Sequence, residues 1–274
     1  MNRRFAIGNA EVGGPGLLIV AGPCVVESEE MCLQVGRTLR DACAARGLPY
    51  VFKASYKKAN RSSGTSFTGP PMDVALAALA RVKRELGVPV LTDVHEVSEV
   101  DAAAEVADVL QIPAFLCRQT ALLEAAAGTG RAVNVKKGQF LPPADMQNVV
   151  DKLVGAGAGR ILLTERGASF GYGDLVVDMR ALVIMRDMGW PVLYDATHSL
   201  QRPGGAETGG DRRFAFPLLR AAVGCGVDGV FFEAHPDPAR ALSDAATQLP
   251  LERAAAFIDE ALRVHEAVRE TSRA

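Results

Sequence analysis

Apolar, often β-branched residues gather in eight short runs, at 17–21, 50–53, 88–92, 109–112, 132–135, 161–164, 191–194 and 229–232. Successive runs start between 21 and 38 residues apart, and most of the stretches between them are rich in Ala and Leu with a helical period. The first such stretch puts Cys32, Val35, Leu39 and Ala42 on one face; the second does so with Leu76, Leu79, Val82 and Leu86. Ser98-Glu99-Val100-Asp101 has capping-box spacing ahead of a third helical run, and Gly47, Gly87 and Gly189 stand where helices should stop.

Continuous apolar strands alternating with amphipathic helices mean a parallel sheet covered by helices. Eight such units in roughly 250 residues predict an α/β fold of the (β/α)8 TIM-barrel type, with an open doubly wound sheet as the alternative. A dinucleotide-binding turn is excluded, because Ala21-Gly22-Pro23-Cys24 and not GxGxxG follows the first run. Residues 1–16 precede that run. With Phe5, Ile7 and Val12 alternating around Gly8-Asn9, they read as a short N-terminal hairpin or extension over the barrel bottom. No linker, low-complexity tract or charge block divides the chain, so 1–274 reads as a single domain.

Composition adds exclusions. The 274 residues carry 30 Lys+Arg against 32 Asp+Glu, a formal charge of −2, which gives no general attraction for nucleic acid. Affinity for an anion must come from a local cluster. Five scattered cysteines (Cys24, Cys32, Cys43, Cys117, Cys225) make no disulfide framework and fit a reducing compartment. The apolar run at 17–21 is too short for a secretion signal or a bilayer span, so a soluble, cytoplasmic protein without membrane contact is expected.

Barrel enzymes place reactive residues just past the carboxyl ends of the strands. Those positions hold Cys24; Lys53 and Lys58; Asp93 and His95; Gln111 and Arg118; Lys136-Lys137; Glu165-Arg166; Asp195 and His198; Glu233 and His235. Lys53, Lys58, Arg61, Lys136 and Arg166 follow three different strands and would meet around one mouth, which points to a polyanionic ligand. Taken singly, each is equally an ordinary solvated loop charge. Cys24, His198 and Glu233 follow the first, seventh and eighth strands, which adjoin in a closed barrel, and Asp244 lies in the eighth loop. A thiolate, an imidazole and two carboxylates suit Zn²⁺, Fe²⁺ or Mn²⁺. The alternative is a buried structural cysteine and an ordinary histidine.

Cys32, Cys43 and Cys225 read as core, Cys117 as a residue that lines the pocket without acting, His265 as solvated, and His95 and His235 as supports behind the reacting groups. The glycine-rich segment 204–210 reads either as a lid (within 202–213) or as a plain surface loop.

Several segments at the strand ends carry a resemblance. They are Ala21-Gly22-Pro23-Cys24, Phe52-Lys53-Ala54-Ser55, Lys58-Ala59-Asn60-Arg61-Ser62-Ser63, Gln111-Ile112-Pro113-Ala114-Phe115-Leu116, Asn134-Val135-Lys136-Lys137, Asp195-Ala196-Thr197-His198-Ser199 and Glu233-Ala234-His235-Pro236. From about residue 17 to the C-terminal helix the chain resembles the 3-deoxy-D-manno-octulosonate 8-phosphate synthases. The related 3-deoxy-D-arabino-heptulosonate 7-phosphate synthases share the AGPC opening but lack the KANRSS segment.

That resemblance implies a homotetrameric barrel that condenses phosphoenolpyruvate with D-arabinose 5-phosphate and water in lipopolysaccharide synthesis. It implies that Lys53, Lys58, Lys136 and Arg166 hold phosphoenolpyruvate. It assigns the pentose phosphate to Asn60, Arg61 and Ser62, the latter two acting across a subunit interface, with Asp93 and Gln111 lining the pocket. Cys24 in place of the Asn of metal-independent members, together with Ser243-Asp244-Ala245-Ala246-Thr247-Gln248, resembles the metal-dependent branch. Cys24, His198, Glu233 and Asp244 are then ligands of a divalent zinc, iron, manganese or cobalt ion, and Cys24, His198, Asp244 and Lys136 are the residues expected at the chemistry. The alternatives are a heptulosonate synthase using erythrose 4-phosphate, or a non-catalytic phosphosugar sensor. One departure is Tyr56-Lys57 where the family usually has Phe-Asp; the added cation is expected to face away from the substrates.

Overall fold

The computed structural model describes residues 3–59, 67–170, 173–203 and 209–271. An antiparallel hairpin, β1 (Phe5–Ile7) and β2 (Ala10–Val12), opens the chain. Then follow β3 (Leu18–Gly22), α1 (Glu29–Ala44), β4 (Tyr50–Lys53), α2 (Met72–Leu86), β5 (Val90–Asp93), α3 (Val100–Val106), β6 (Val109–Ile112) and α4 (Thr120–Gly128). The second half runs β7 (Ala132–Lys136), α5 (Met146–Gly155), β8 (Ile161–Glu165), the short pair β9 (Ala168–Ser169) and β10 (Leu175–Val176), α6 (Met179–Arg186) and β11 (Val192–Asp195). It ends with the short pair β12 (Gln201–Arg202) and β13 (Gly209–Gly210), α7 (Ala215–Gly224), β14 (Gly229–His235), β15 (Leu249–Pro250) and α8 (Ala254–Thr271).

Eight parallel strands close on themselves in the order β3-β4-β5-β6-β7-β8-β11-β14, with β14 paired to both β11 and β3. Closure excludes the open doubly wound alternative. Each predicted run coincides with a barrel strand to within one or two residues, except that β14 continues to His235, three residues past the run at 229–232. The capping-box expectation is corrected: Ser98 is not the cap. Glu96 and Glu99 form the box around a turn of 3-10 helix at Val97–Glu99, because a Glu side chain reaches the free amides there as readily as a hydroxyl would. At the other end of α2, Gly87 takes the left-handed conformation (φ 65°) and returns its N–H to the Lys83 carbonyl.

Side chains of a strand alternate between its two faces, so each barrel strand serves two cores. Leu17, Ile19 and Ala21 point outward into the layer shared with the helices. Leu18, Val20, Val51, Leu91, Val109, Ala132, Leu162, Leu193 and Phe231 point inward and pack with Ile7, Ala10 and Val12 of the hairpin. The expected hairpin is therefore the plug of the barrel, held by Arg3, whose N–H reaches the Gly189 carbonyl and whose guanidinium lies 4.3 Å from the centre of the Trp190 ring. His265, expected in solvent, is half-buried, with Nε2 3.0 Å from the Pro15 carbonyl oxygen.

Gly22 is the tightest point of the closure. A Cβ built there would lie 1.9 Å from the Lys53 carbonyl oxygen, which belongs to the neighbouring strand's backbone and cannot swing aside. Gly22→Ala should lower stability by about 1–3 kcal/mol or more, the usual scale for overpacking a filled interior. A thermal melt of the variant checks it, and an unchanged midpoint would contradict this reading of the contact.

Candidate active site

Counting two residues up each strand from the apolar inward layer reaches Gly22, Lys53, Asp93, Gln111, Asn134, Thr164, Asp195 and Glu233; two more reach Cys24, Ser55, His95, Lys136 and Arg166. The same alternation that builds the plug thus raises a polar layer above it. The pocket at that end is lined by Lys53, Lys58, Asp93, Gln111, Lys136, Arg166, His198, Glu233 and Asp244, along with Ser55, Lys57, His95, Phe115, Gln139 and Gln201. Of the expected site residues, Cys24 lies beneath this lining, bonded to Asp244. Asn60, Arg61 and Ser62 lie outside the described residues, as does most of the expected lid, residues 204–208.

A one-directional belt of hydrogen bonds crosses half the barrel. Thr164 Oγ1 donates to Asn134 Oδ1 (2.7 Å), Asn134 Nδ2 to Gln111 Oε1 (2.8 Å), and both Gln111 Nε2 and Ser55 Oγ to the Asp93 carboxylate. Burial alone would raise the Asp93 carboxyl, but Lys53, His95 and Lys136 outweigh it and keep it well below the usual range. Asp93 is thus an ionised acceptor that orders the belt.

The opposite half is made of ion pairs: of the expected cations, Lys53, Lys58, Lys136 and Arg166 do line one mouth, and three of the four face a carboxylate. Lys53 Nζ lies 2.5 Å from Glu233 Oε1, Lys58 Nζ 2.6 Å from Asp244 Oδ2, and Lys136 Nζ 2.6 Å from Asp195 Oδ2. Isolated charges do not survive at such depth, so the barrel supplies a carboxylate to each lysine. Arg166 differs. It is 5% exposed, donates Nη2 to Gln201 Oε1 (2.7 Å), and its Nη1 is buried without a partner; no carboxylate among the described residues pairs with it. Burial pulls the ammonium of Lys136 below its ordinary range despite Asp195, while Lys58, against its own burial, is pushed well up by Asp244 and the groups around it.

The sulfur of Cys24 and one carboxylate oxygen each of Glu233 and Asp244 lie within 4.8 Å of one another. His198 Nε2 stands 3.7 Å from Glu233 Oε1 and 4.0 Å from Asp244 Oδ2. Tetrahedral ligands at normal zinc bond lengths lie about 3.5 Å apart; the thiol and the two carboxylates form the compact group, and the imidazole stands beside it near both carboxylates. Asp195 fixes the ring: its Oδ1 accepts the His198 N–H (2.9 Å) and its Oδ2 lies 2.9 Å from Nδ1. A carboxylate can only accept, so Nδ1 carries the proton and Nε2 offers a lone pair, the arrangement of a ligating histidine. Lys136 Nζ, 3.3 Å from Nδ1, gives no competing bond, since both would be donors. Glu233 Oε2 is buried with no partner. Burial pushes the Cys24 thiol well up, helped by Asp244 and Glu233, and the thiol donates to Asp244 Oδ2 (2.9 Å).

Sequence reasoning missed several supports. Asp195 stood among the strand-end residues without a role, and Gln201 and Gln248 had none. Gln201 bridges Arg166 and Asp244, donating Nε2 to Asp244 Oδ1 (2.8 Å). Gln248 accepts the Cys24 N–H (3.3 Å) and donates to the Ser243 carbonyl (2.8 Å), tying the first and last strand ends. Asp244 itself has φ 49°, the only positive φ of a non-glycine among the described residues, stabilised by the Thr247 and Gln248 amides on its carbonyl. The spacing of ligands in sequence carries none of this, because the partners come from opposite ends of the chain. Cys117 does not line the pocket; it is buried against Gly138. Lys57 does not face away: it lines the rim and pairs with Glu99 (3.3 Å). His235 lies outside the pocket, 3.6 Å from Glu27.

A model of the DAHP synthetase I family matches residues 5–270. A protein of Trichlorobacter lovleyi named 2-dehydro-3-deoxyphosphooctonate aldolase is 52% identical over 98% of this chain and 100% of its own length. Proteins of the same name from Geobacter metallireducens (55% identical; 92% of this chain, 94% of theirs) and Acidithiobacillus ferrooxidans (56%; 86% and 84%) are also similar to this chain.

Asp195→Ala would leave the ammonium of Lys136 buried without a counter-charge, and breaking such a pair costs about 3–5 kcal/mol. Denaturant unfolding should show that loss, and Lys136→Met in the same background should recover part of it. A double variant no more stable than Asp195→Ala would argue against the pairing as the cause.

Proposed function

Because the chain belongs to the DAHP synthetase I family and stands with its 2-dehydro-3-deoxyphosphooctonate aldolases, we propose that it is a phosphoenolpyruvate-condensing synthase. It joins phosphoenolpyruvate to D-arabinose 5-phosphate with uptake of water, giving 3-deoxy-D-manno-octulosonate 8-phosphate and inorganic phosphate for lipopolysaccharide core sugars. The observation that carries this reading is Arg166, a buried guanidinium with an unpaired Nη1 in a pocket whose lysines hold carboxylates. An anion with two charged ends fits that asymmetry.

In this reading C3 of the enol phosphate attacks the aldehyde carbon of the pentose, water adds to C2, and the resulting hemiketal phosphate breaks its C–O bond to leave the ketone and phosphate. Arg166, Lys136, Lys58 and Lys53 hold phosphoenolpyruvate by phosphate and carboxylate. Asp93 and Gln111 order its surroundings, and Asn60, Arg61 and Ser62 take the pentose phosphate. Holding both polyanions in a near-attack geometry accounts for several kcal/mol of the barrier, to order of magnitude. Lys136, whose ammonium burial makes more acidic, hands a proton to the departing phosphate.

Cys24, His198, Glu233 and Asp244 have the donor chemistry for a zinc, iron, manganese or cobalt ion, and the orphaned Glu233 oxygen supports that fit. Such an ion supplies Lewis acidity toward the water or the aldehyde. The chain works as one barrel unit, 1–274, in a homotetramer that shares Arg61 and Ser62 between subunits. It acts in the cytoplasm; no helix of the described residues is long and apolar enough to cross a membrane.

Phosphate release measured with arabinose 5-phosphate and with erythrose 4-phosphate, each with and without chelator, tests the reading. Release should favour the pentose, stop on chelation and return with Mn²⁺, Co²⁺ or Zn²⁺. Equal rates with the two aldoses would overturn the substrate assignment, full activity of verified metal-free protein the metal, and binding without release the enzyme. Arg166→Ala should lower kcat/KM for phosphoenolpyruvate by about 10²-fold. Cys24→Asn should retain more activity than Cys24→Ala.

A further inference from the structure

Tyr56 and Lys57 are the pair that departs from the usual family pattern; Lys57 lines the pocket and Tyr56 is buried behind it, both beside an unusually well-connected carboxylate. Glu99 Oε2 accepts the hydroxyl of Tyr56 (2.5 Å) and the backbone N–H groups of His95 (3.0 Å) and Glu96 (3.1 Å), while Oε1 lies 3.3 Å from Lys57 Nζ. Burial would raise the Glu99 carboxyl, yet the Tyr56 hydroxyl and the His95 amide outweigh it and hold it below the usual range. The group is an ionised acceptor saturated with donors. Tyr56 is fully buried, and its ring meets that of His95 edge-on, with centroids 5.7 Å apart at 76°. The two strand ends after β4 and β5 are joined through this contact.

The arrangement decides which nitrogen of His95 carries a proton. Nδ1 faces two groups, the Tyr56 hydroxyl oxygen at 3.4 Å and Glu99 Oε2 at 3.5 Å. The hydroxyl has one proton and gives it to Glu99, so its oxygen can only accept from His95, and the carboxylate can only accept as well. Both partners therefore require a proton on Nδ1. Nε2 has no partner among the described residues, and the ring lines the pocket together with Ser55 and Asp93.

We propose that Tyr56 and Glu99 are a positioning pair that holds His95 as its Nδ1–H tautomer, with Nε2 as a hydrogen-bond acceptor for a hydroxyl or water proton on the bound substrates. The inference deepens the condensation reading and rests on it. Lys57 takes the outer oxygen of the same carboxylate, so the added cation and the added hydroxyl at 56–57 share one counter-charge and do not place an unpaired cation in the mouth.

The experiment is a set of variants of the full chain, assayed by phosphate release from phosphoenolpyruvate with arabinose 5-phosphate and by thermal melt. His95→Gln puts an amide near the position of Nε2 and His95→Asn near that of Nδ1. The Gln variant should keep several-fold more activity than Asn, with the larger loss about 10²-fold. Tyr56→Phe and Glu99→Gln should each lower kcat by about 10-fold with KM for phosphoenolpyruvate nearly unchanged, and in the His95→Gln background they should have no further effect. Lys57→Ala, which leaves the Nδ1 partners in place, should keep kcat. Equal activity of the two His95 variants, or an undiminished effect of Tyr56→Phe and Glu99→Gln in the His95→Gln background, would overturn the proposal. Wild-type protein that releases no phosphate with either aldose would instead refute the condensation reading. In that case, histidine-selective ¹⁵N spectra of wild type against His95→Gln still test the tautomer, and a protonated, donor-type Nε2 resonance overturns it.

Discussion

Buried charge must be matched by buried charge, and the upper half of this barrel is built around that requirement. Leaving one ionised side chain unpaired at the depth of Lys53 or Lys136 would cost several kcal/mol, a large part of the net stability of a domain. The barrel meets the demand with strand geometry. Period-two alternation sends every second residue inward, and closure brings Lys53 on β4 against Glu233 on β14, and Lys136 on β7 against Asp195 on β11. Neighbouring strands hold the neutral members of the layer, whose amides and hydroxyl pass their hydrogen bonds in one direction to Asp93. Among the described charged groups that line the pocket, the matching stops at Arg166 Nη1 and Glu233 Oε2, each buried without a partner.

The sequence made the strands legible because each is a continuous apolar run, and it made the inward polar residues legible because they follow those runs at fixed offsets. Lys53, Asp93, Gln111, Lys136 and Glu233 could be found by counting. Their partners could not. That Lys58 sits on Asp244, 186 residues later, follows only from closure of β14 on β3, and a count along the chain shows five cations without showing that three of them are neutralised. Gln248 and Gln201 escaped for a related reason: an amide that joins two loops has no periodicity and no charge to mark it. The capping box failed differently. Ser98 has the favoured residue type, but the turn starts two residues earlier, where Glu96 and Glu99 satisfy each other's amides, and that same Glu99 then serves Tyr56 and Lys57.

The matching also links the two kinds of ligand proposed for the pocket. Glu233 and Asp244 are at once the counter-charges of Lys53 and Lys58 and the carboxylates of the candidate metal group. Each of these carboxylates has limited negative charge to share. A divalent cation drawn to them weakens their hold on the lysines, and lysines so released become available to an anion in the pocket. The converse holds with equal force, since an anion that draws Lys58 away leaves Asp244 more attractive to a cation. By linkage the two affinities must rise together, without any movement of the backbone. Arg166 stands outside that exchange, because no carboxylate among the described residues holds it; of the described Lys and Arg side chains that line the pocket, it is the one without a carboxylate partner. A pocket described by its net charge would miss this difference; it is set by which charges are already spoken for.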